Sequence, residues 1–395
     1  MFSGMLVVEL ASVLAGPSVG QFFAELGSEV IKVENIKTKG DVTRSWKLPK
    51  EGTGDISAYF SAVNWGKKSI GIDLSIKEGA DIVHQLIRKA DVVVVSYKPG
   101  DAAKLKMDYE TLSKINPSLI YGMITGYGIE NPRVGYDAII QAEAGFMYMN
   151  GEPNGNSLKM PVALMDVLAA HHLKEGILVA MINKMRTGKG DCVEVSLLES
   201  AISSLANQAT NYLVAHDIPQ KQGSRHPNIA PYGEVFKTKD GQSIILAVGN
   251  NQQFTSLCFA LRVPDVSNDA CYSSNVLRVQ NREQLFLLLQ QGFDQVDSAT
   301  ILDILNKSNV PCGKIKNMQE VFETKEAEKV VLHSNDIKNS ITGIRNLTAK
   351  LNSRENLSHF PPPPTFAQHT KEVLKEHCSC SDDQIIELIN SGVIQ

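Results

Sequence analysis

The chain has 395 residues, of which 43% are hydrophobic and 21% are charged, and these proportions are ordinary for a folded globular protein. They exclude a disordered or fibrous chain, and the length allows two domains or one large domain. The formal net charge of −4 leaves no general basic surface that would hold nucleic acid or an anionic membrane.

The cysteines and the first residues of the chain indicate the cellular compartment. The six cysteines show no spacing typical of a zinc site or a disulfide framework, which favours reduced thiols. The opening MFSGMLVVELASV has no basic region of the kind that starts a secretory signal, and no apolar run reaches the roughly 18 residues of a membrane span. We therefore expect a cytoplasmic protein with no membrane partner.

Short apolar runs alternate with amphipathic segments over residues 5–95. The sequence predicts strands at MLVVEL, EVIKVE, KSIGIDL and DVVVVS, and helices at PSVGQFFAEL and KEGADIVHQLIRKA. This alternation is typical of an α/β fold with an open, mostly parallel sheet and helices on its faces. Ligands bind such sheets at the carboxyl ends of the strands.

The same pattern continues to about residue 215. A strand at SLIYGMITGYG ends in a glycine-rich loop, and the segment RVGYDAIIQAEAGFMYMNGE predicts a helix bracketed by glycines. A long helix follows Asp166 and ends at Gly188, as a basic last turn before a glycine predicts. A strand at CVEVSLLES and one more helix complete this block.

The composition changes after residue 215. Residues 216–233 hold three prolines and two glycines, which indicates a linker or an ordered loop. The segment EVFKTKDGQSIILAV predicts a hairpin with its turn at Asp240 and Gly241. Amphipathic helices and a short strand near VPCGKI then indicate a smaller α+β domain. Residues 336–365 suggest irregular strands, and the tail is helical.

Two familiar site patterns fail on spacing. The loop LAGPSVG has Gly16 and Gly20 as G-x-x-x-G, whereas a dinucleotide site needs G-x-G-x-x-G. His171 and His172 are consecutive on a predicted helix and point about 100° apart, so one metal cannot bind both from one face. We therefore expect no redox cofactor and no metal. The basic stretch from Lys37 onward is either a solvated loop or a phosphate contact at the sheet edge.

Asp166 stands between the apolar run MPVALM and the long helix. Local propensity favours a helix N-cap, because aspartate accepts hydrogen bonds from first-turn amides and complements the positive helix end. The same setting would keep the carboxylate ionised while the apolar approach removes water, so it could serve as a nucleophile. Both interpretations stay open on the residues alone.

Eight blocks of sequence follow one another over nearly the whole chain. They are SVLAGPSVGQFFAELGSEVIKVEN, GDVTRSW, NWGKKSIGIDL, ADVVVVSYKPG, YETLSKINPSLIYGMITGYG, GYDAIIQAEAGFMYMNG, MDVLAAHHLKEGILVAMINKMRTGKGDCVEVSLLES and the closing PPPP with HTKEVL. Together these blocks resemble the class III CoA-transferases, the formyl-CoA transferase type. The segments HPNIAPYGEVFKTKDG, GNNQQF, LRVQNREQL and VPCGKIKNMQEVF are similar to the members that act on succinate and glutarate.

The resemblance implies a particular fold and assembly. It implies a Rossmann-like large domain with a parallel sheet formed by both chain ends, plus a smaller α+β domain. The large domain would cover residues 1–215 and 336–395, and the linker and small domain residues 216–335. Two ring-like subunits would interlock as a homodimer.

The resemblance also gives Asp166 the role of catalytic nucleophile. Its carboxylate would attack an acyl-CoA thioester, giving a mixed anhydride and then an aspartyl-CoA thioester that an incoming acid resolves. The implied substrates are coenzyme A, as acyl-CoA, and a small carboxylic acid, with short dicarboxylates favoured. No metal and no redox cofactor is required.

The CoA contacts of the family fall on positions spread along the first domain. Lys104 stands where arginine is common, and Ser96 where asparagine is common. Asn35 replaces a frequent arginine, so Lys37 or Lys39 is expected to contact the adenosine phosphate. The expected CoA contacts are Val13, Leu14, Ala15, Asn35, Lys37, Ile72, Ser96, Tyr97, Lys104, Leu105, Arg133 and Tyr136.

Further candidates surround the reacting atoms. The amides of Gly126 and Gly128 are candidates for stabilising the developing oxyanion, and HPNIAPYG and GNNQQF for covering the site from water. Arg225 or His226 would bind the distal carboxylate of a dicarboxylate, unless they belong to an ordinary loop.

Two other functions compete with CoA transfer. An α-methylacyl-CoA racemase shares the fold but uses a histidine where this chain has Tyr136, and tyrosine, with a reference pKa of about 10, is a poor replacement for that base. A catalytically silent CoA-binding protein would bind CoA without exchanging it. Loss of exchange in an Asp166→Ala chain that still binds CoA separates the transferase from this silent protein.

Overall fold

The computed structural model describes residues 1–52, 54–334, 341–352 and 359–395. The expected domain boundary at residue 335 and parts of the expected strands at 336–365 lie outside the described residues. The chain packs into two compact units. The first unit comprises Met1–Ala144, Met160–Thr210 and Lys325–Gln395, and the second comprises Gly145–Lys159 and Asn211–Thr324. The division into domains at residues 215 and 335 stays a prediction.

The strands of the described residues follow the predicted apolar runs closely. They are β1 (Leu6–Leu10), β2 (Glu29–Glu34), β3 (Lys67–Gly71), β4 (Val92–Val95), β5 (Ile120–Thr125), β6 (Asp191–Ser196), β7 (Tyr232–Lys237), β8 (Ser243–Ala247), β9 (Cys312–Lys314), β10 (Val331–Ser334), β11 (Thr342–Ile344) and β12 (His359–Phe360).

The helices alternate with these strands in the first unit and dominate the second. They are α1 (Ala15–Glu25), α2 (Ala58–Ser61), α3 (Lys77–Lys89), α4 (Asp101–Lys104), α5 (Tyr109–Ile115), α6 (Asp137–Glu143), α7 (Phe146–Met149), α8 (Leu164–Thr187), α9 (Leu197–Ser203), α10 (Asn207–Ala215), α11 (Asn251–Ala260), α12 (Pro264–Asn268), α13 (Asn275–Gln280), α14 (Arg282–Phe293), α15 (Ser298–Lys307), α16 (Met318–Phe322), α17 (Lys325–Glu328), α18 (Thr370–Cys378) and α19 (Asp382–Asn390). Short 3-10 turns lie at Ile36–Thr38, Val42–Ser45 and Ala270–Tyr272.

A six-stranded parallel sheet with the order β3-β2-β1-β4-β5-β6 forms the centre of the first unit. The four valines of β4 are fully buried, as expected where helices cover both faces of a parallel sheet. The strand order reverses between β1 and β4. In open α/β sheets a ligand crevice lies outside the carboxyl ends of the strands at such a reversal.

The expectation that both chain ends form this sheet is wrong for the described residues. All six strands come from residues 6–196. The C-terminal segment instead supplies a small sheet of β11, β10 and β12, together with α18, which packs on β3 and α3. Its four prolines at 361–364 have no amide hydrogen to donate to a central ladder, and this stretch forms no strand of the sheet.

Two predicted helices are each divided in the structure. The helix expected at RVGYDAIIQAEAGFMYMNGE is α6 and α7, separated at Gly145, whose φ of +84° suits glycine. The helix expected after β6 is α9 and α10, separated near Ala206 with a φ of +51°.

The second unit has its own core. Strands β7, β8 and β9 form an antiparallel sheet, and helices including α11, α14 and α15 pack their buried apolar residues on it. The predicted hairpin turn is confirmed, since the Gly241 amide donates to Thr238 O at 2.8 Å and Gly241 has a φ of +75°. Within the described ranges no helix has both the length and the apolar composition needed to span a bilayer.

Gly190→Ala is expected to destabilise the first unit. The added Cβ would lie 1.9 Å from Leu119 O, where the chain enters β6 beside β5, and a backbone atom cannot move aside cheaply. We expect a loss of about 1–3 kcal/mol in the free energy of unfolding, measured by urea denaturation. Gly313→Ala is the control, because its Cβ would meet Ile245 Cγ2 at 3.9 Å. Equal stability of the two variants would contradict the placement of β6.

Candidate active site

Three cavities line the carboxyl ends of the central strands within the first unit. The Asp166 cavity, about 250 Å³, lies at the ends of β1, β4 and β5. The Asp41 cavity, about 580 Å³, lies at the ends of β1, β2 and β4, and the Lys37 cavity, about 170 Å³, lies beyond β2 and β3. Tyr97, which follows β4, lines all three. The cavities therefore occupy the edge of the sheet at which its strand order predicts a ligand.

The Asp166 cavity brings together many of the residues singled out in the sequence. They come from the β1–α1 loop, from the ends of β4 and β5, from the approach to α6 and from the start of α8. The expected residues that line it are Val13, Leu14, Ala15, Ser96, Tyr97, Gly126, Arg133 and Tyr136, together with Asp166.

Asp166 is not the N-cap of its helix. Helix α8 begins at Leu164, so Asp166 is its third residue, and Ala163 at the cap position makes no side-chain capping bond. The missing cap comes from another helix, because Asp137 Oδ1 accepts the Met165 amide at 2.8 Å. The N-cap interpretation is wrong because the cap is a tertiary contact made by a residue 28 positions earlier.

Gln141 holds the segment that leads into α8. It is fully buried, its Oε1 accepts the Met160 amide at 2.7 Å, and its Nε2 donates to Asp137 Oδ2 at 2.6 Å. Asp137 and Gln141 lie one turn apart on α6, so this helix fixes the approach to Asp166 at two points.

The pKa of Asp166 is raised to about 7. Burial is the larger cause, because it penalises the charged form, and the nearby Asp137 carboxylate adds to the rise. The expectation that the helix start keeps Asp166 ionised is therefore corrected: with a pKa of about 7, the carboxyl group is divided between its two protonation states at neutral pH.

Tyr59 is a neighbour of Asp166 that sequence reasoning missed. Burial raises the pKa of its phenol, and the charges of Asp166, Asp137 and Asp41 raise it further, so these acids lie near its hydroxyl. The Trp46 ring packs edge-on against Tyr59 with centroids 5.2 Å apart. Its neighbours Asp41 and Trp46 belong to the block GDVTRSW, but Tyr59 lies between the quoted blocks, so the sequence held no direct signal for it.

The Lys37 cavity contains the expected contacts Asn35, Lys37 and Leu105. Lys37 Nζ lies 2.8 Å from Asp73 Oδ2 and donates to Ser75 Oγ at 2.7 Å, while most of its side chain stays exposed. Lys39, the alternative cation, lines the Asp41 cavity. The structure thus places the two candidate lysines in different cavities.

Three other expected CoA contacts are already engaged within the protein. Lys104 forms an exposed ion pair with Asp101 at 2.8 Å, and Arg133 pairs with Glu143 while stacking on the Tyr127 ring. Ile72 is fully buried and bridges to Ile394. Lys104 and Arg133 would have to exchange a carboxylate partner for a phosphate.

The two glycines proposed as amide donors differ in their surroundings. The Gly128 amide already donates to Thr125 Oγ1 at 2.9 Å. Gly126 lines the Asp166 cavity, and a Cβ there would lie 2.6 Å from Gly135 N and Cα, so its small size is needed where the two loops touch. Gly126 is therefore the better placed candidate donor.

Arg225 and His226 belong to the second unit. Arg225 pairs with Glu283, and His226 Nδ1 accepts the Asn228 amide at 3.1 Å while its ring packs edge-on against Tyr232. Both side chains therefore have partners within their own unit.

A group of potential metal ligands lies at the other end of β2. Oxygen or nitrogen atoms of Glu29, Glu376 and His377 lie within 4.8 Å of one another. Lys68 Nζ already contacts Glu29 at 2.9 Å and Glu376 at 3.1 Å. The ammonium group balances these carboxylates, and the group lies away from the three cavities.

A family model described as CoA-transferase family III matches residues 2–370. The chain is 37% identical over 403 residues to the succinyl-CoA:glutarate CoA-transferase of Homo sapiens, covering 99% of this chain and 89% of that protein. It is 38% identical over 385 residues to the succinate–glutarate CoA-transferase of Agrobacterium fabrum, covering 95% of each.

Solved structures show the same fold. The crystal structure of a CAIB/BAIF family protein from Brucella suis matches with a TM-score of 0.83 at 36% identity, covering 95% of this chain and 98% of that one. The resemblance read from the sequence blocks is confirmed. The chain belongs to CoA-transferase family III and is an enzyme that transfers CoA between an acyl-CoA and a carboxylic acid.

Proposed function

We propose that this protein transfers CoA from succinyl-CoA to a free short dicarboxylate such as glutarate, with Asp166 as the covalent nucleophile. The observation that carries the proposal is the Asp166 cavity, where this carboxylate lies among the expected CoA contacts at the reversal of the strand order. The choice of acids is supported by the relatives named for succinate and glutarate.

The first half-reaction moves the acyl group onto Asp166. A carboxylate oxygen of Asp166 attacks the thioester carbonyl carbon, the carbon–sulfur bond breaks, and the CoA thiolate leaves. The product is a mixed anhydride between Asp166 and the donor acid. The amide of Gly126 is the candidate donor to the oxygen that gains negative charge during the attack.

The thiolate then moves CoA onto the protein. It attacks the Asp166 carbonyl carbon, the anhydride carbon–oxygen bond breaks, and the donor acid leaves as a carboxylate. The acceptor carboxylate then attacks the aspartyl-CoA thioester and releases the CoA thiolate, giving a new mixed anhydride. The thiolate attacks the acceptor's carbonyl carbon in this anhydride, which forms the new acyl-CoA and regenerates free Asp166. The free energy of the thioester is conserved because every intermediate is an activated acyl group.

The raised pKa of Asp166 suits this chemistry. A more basic carboxylate is a better nucleophile, and near a pKa of about 7 a useful fraction is still ionised at neutral pH. No cation is needed beside it, since a lysine or arginine at that point would lower its basicity. Water must also be excluded from the anhydride, and HPNIAPYG and GNNQQF remain the candidate covers.

We also propose a homodimer. Helix α8 packs one face in the core through residues such as Leu173 and Ile177, yet the residues Val179, Ile182 and Met185 are 67%, 61% and 87% exposed. A helix that is apolar on both faces is typical of one that a second surface covers. A second copy of this chain, interlocked with the first, would cover that surface.

Asp166→Asn is expected to abolish CoA exchange, because an amide cannot form the anhydride. Exchange of isotopic label between succinyl-CoA and free succinate should fall by about 10³-fold or more. Incubation with succinyl-CoA and hydroxylamine should give a hydroxamate at residue 166 only when it is aspartate. Glu175→Gln, an exposed acid on the same helix, is the control. Full exchange by the Asp166→Asn chain would refute the mechanism.

The rate of the first half-reaction is expected to rise with pH through about 7. The ionised Asp166 is the reactive form, so kcat/KM for succinyl-CoA should rise about tenfold per pH unit below this pKa and level off above it. Asp137→Asn removes the like charge and should move the inflection to lower pH. A profile that is flat from about pH 5.5 to 8 would contradict the assignment.

The same pKa predicts a stability effect. Because the folded-state pKa of Asp166 lies above its usual value, its contribution to stability is fully present below the usual pKa and is lost as pH rises through about 7. Asp166→Asn should therefore raise the melting temperature more at alkaline than at acidic pH. An equal change at both would show that the pKa is not raised.

Arg225→Gln is expected to weaken the use of dicarboxylates selectively. If Arg225 binds the distal carboxylate, KM for glutarate should rise about tenfold while KM for butyrate is unchanged. Product acyl-CoA esters are measured by mass spectrometry, with Arg262→Gln, an exposed cation of the same unit, as the control. Equal changes in KM for glutarate and butyrate would exclude Arg225 as the group that binds the distal carboxylate. Absence of turnover with every dicarboxylate would overturn the proposed substrates.

A further inference from the structure

The loop between β1 and α1 contains a strained backbone position. Val13 has a φ of +73°, in the left-handed region that is costly for a β-branched residue because of contacts with its Cβ. Val13 also lines the Asp166 cavity, together with Ser12 and Leu14. A conformation of this kind persists only where the surrounding contacts enforce it.

Asp41 supplies one such contact. The Val13 amide donates to both Asp41 carboxylate oxygens, at 3.2 and 3.3 Å. Lys32 Nζ lies 3.0 Å from Asp41 Oδ2, and the Lys32 and Asp41 side chains are 1% and 0% exposed. The carboxylate that holds Val13 is therefore itself held by a buried cation.

The backbone is held on both sides of Val13, in the loop before it and in the first turn of α1 after it. Lys32 Nζ donates to Ala11 O at 2.7 Å, and Lys67 Nζ donates to Pro17 O at 2.8 Å. Glu9 joins the two lysines, at 2.9 and 2.7 Å. One buried network thus contacts the loop at residues 11 and 13 and the first turn of α1 at residue 17.

We propose that Asp41 is a positioning residue for the transfer reaction, which holds Val13 in its left-handed conformation and so places the β1–α1 loop against the thioester beside Asp166. Asp41 acts through the backbone of Val13. The proposal rests on the proposed function to the extent that Asp166 is the reacting group.

A simpler role for Asp41 would be local. Its Oδ1 also accepts the amide and the hydroxyl of Thr43, at 3.0 and 2.8 Å, and so caps the 3-10 turn Val42–Ser45. A cap alone would affect stability but would have no particular link to the conformation of Val13. The two roles therefore differ in whether the effect of an Asp41 variant depends on residue 13.

The test compares Asp41→Asn in two backgrounds, Val13→Ala and Val13→Gly. Both backgrounds lose the valine side chain, but only glycine adopts a positive φ without the cost of a Cβ. In the Val13→Ala background Asp41→Asn should lower kcat about tenfold or more, because the loop leaves its productive position. In the Val13→Gly background the loss should be about threefold or less. Equal losses in the two backgrounds would overturn the proposal.

Two further measurements separate positioning from folding. Thr43→Val removes the hydroxyl that donates to Asp41 but leaves the contact between Asp41 and Val13, so kcat should be retained. A loss of kcat as large as that caused by Asp41→Asn would favour the cap alone and overturn the proposal. With Asp41 intact, the Val13→Gly chain should melt at a higher temperature than the Val13→Ala chain, because strain at this position is relieved. A higher melting temperature for Val13→Ala than for Val13→Gly would show that the backbone at residue 13 is not strained. This comparison does not require the Asp41→Asn chain to fold.

The results of these tests on Asp41 and Val13 can be told apart from a failure of the Asp166 assignment. An Asp166→Asn chain with full exchange activity would overturn the proposed function, whereas the melting order at residue 13 and the dependence of Asp41→Asn on its background report only on the loop.

Discussion

The Glu9–Lys32 ion pair is the contact on which the active-site end of the sheet depends. It joins the neighbouring strands β1 and β2 at 2.9 Å, with both side chains excluded from solvent. A buried ion pair is retained only when its remaining polar atoms are also satisfied, and removal of one partner costs about 3–5 kcal/mol. Here Glu9 also bonds Lys67, and Lys32 also bonds Asp41. Burial disfavours the Lys32 ammonium, but the surrounding carboxylates outweigh it and raise its pKa, so the cation persists.

Contact with this network distinguishes the acids of the site by the direction of their pKa shifts. Burial disfavours the charge of Asp41, but Lys32 and the Thr43 amide outweigh it and lower the Asp41 pKa. Asp166 forms no ion pair with a lysine or arginine among the described residues, and its partial burial, together with the charge of Asp137, raises its pKa to about 7. Burial alone thus does not determine reactivity. Asp41 stays charged and inert as a structural anion, whereas Asp166 is left basic.

The sequence was sufficient for the strands and for the edge of the sheet that carries the site. The strands β1, β4 and β5 are mostly apolar, and the carboxyl ends of parallel strands meet at one edge, so Ser96 after β4 and Gly126 after β5 could be predicted to lie close together. Asp166 follows no strand, and only the family resemblance assigned it to the same site. The cap of α8 could not be predicted, because Asp137 reaches Met165 from another helix. The left-handed backbone of Val13 leaves no mark in its residue type, and therefore neither it nor the role of Asp41 was foreseen.

Tyr97 connects these features along the sheet. It lines the Lys37, Asp41 and Asp166 cavities, and burial raises the pKa of its phenol to about 12, against the opposing charge of Lys32. A phenol that stays neutral can donate or accept a hydrogen bond without adding charge beside a phosphate. An extended ligand that reached from Lys37 to Asp166 would pass this residue, so its anionic phosphate end and its reactive end would contact loops that follow different strands. Positive charge for phosphates could then be supplied by Lys37 and Lys39, which follow β2, away from the carboxylate whose basicity the proposed chemistry requires.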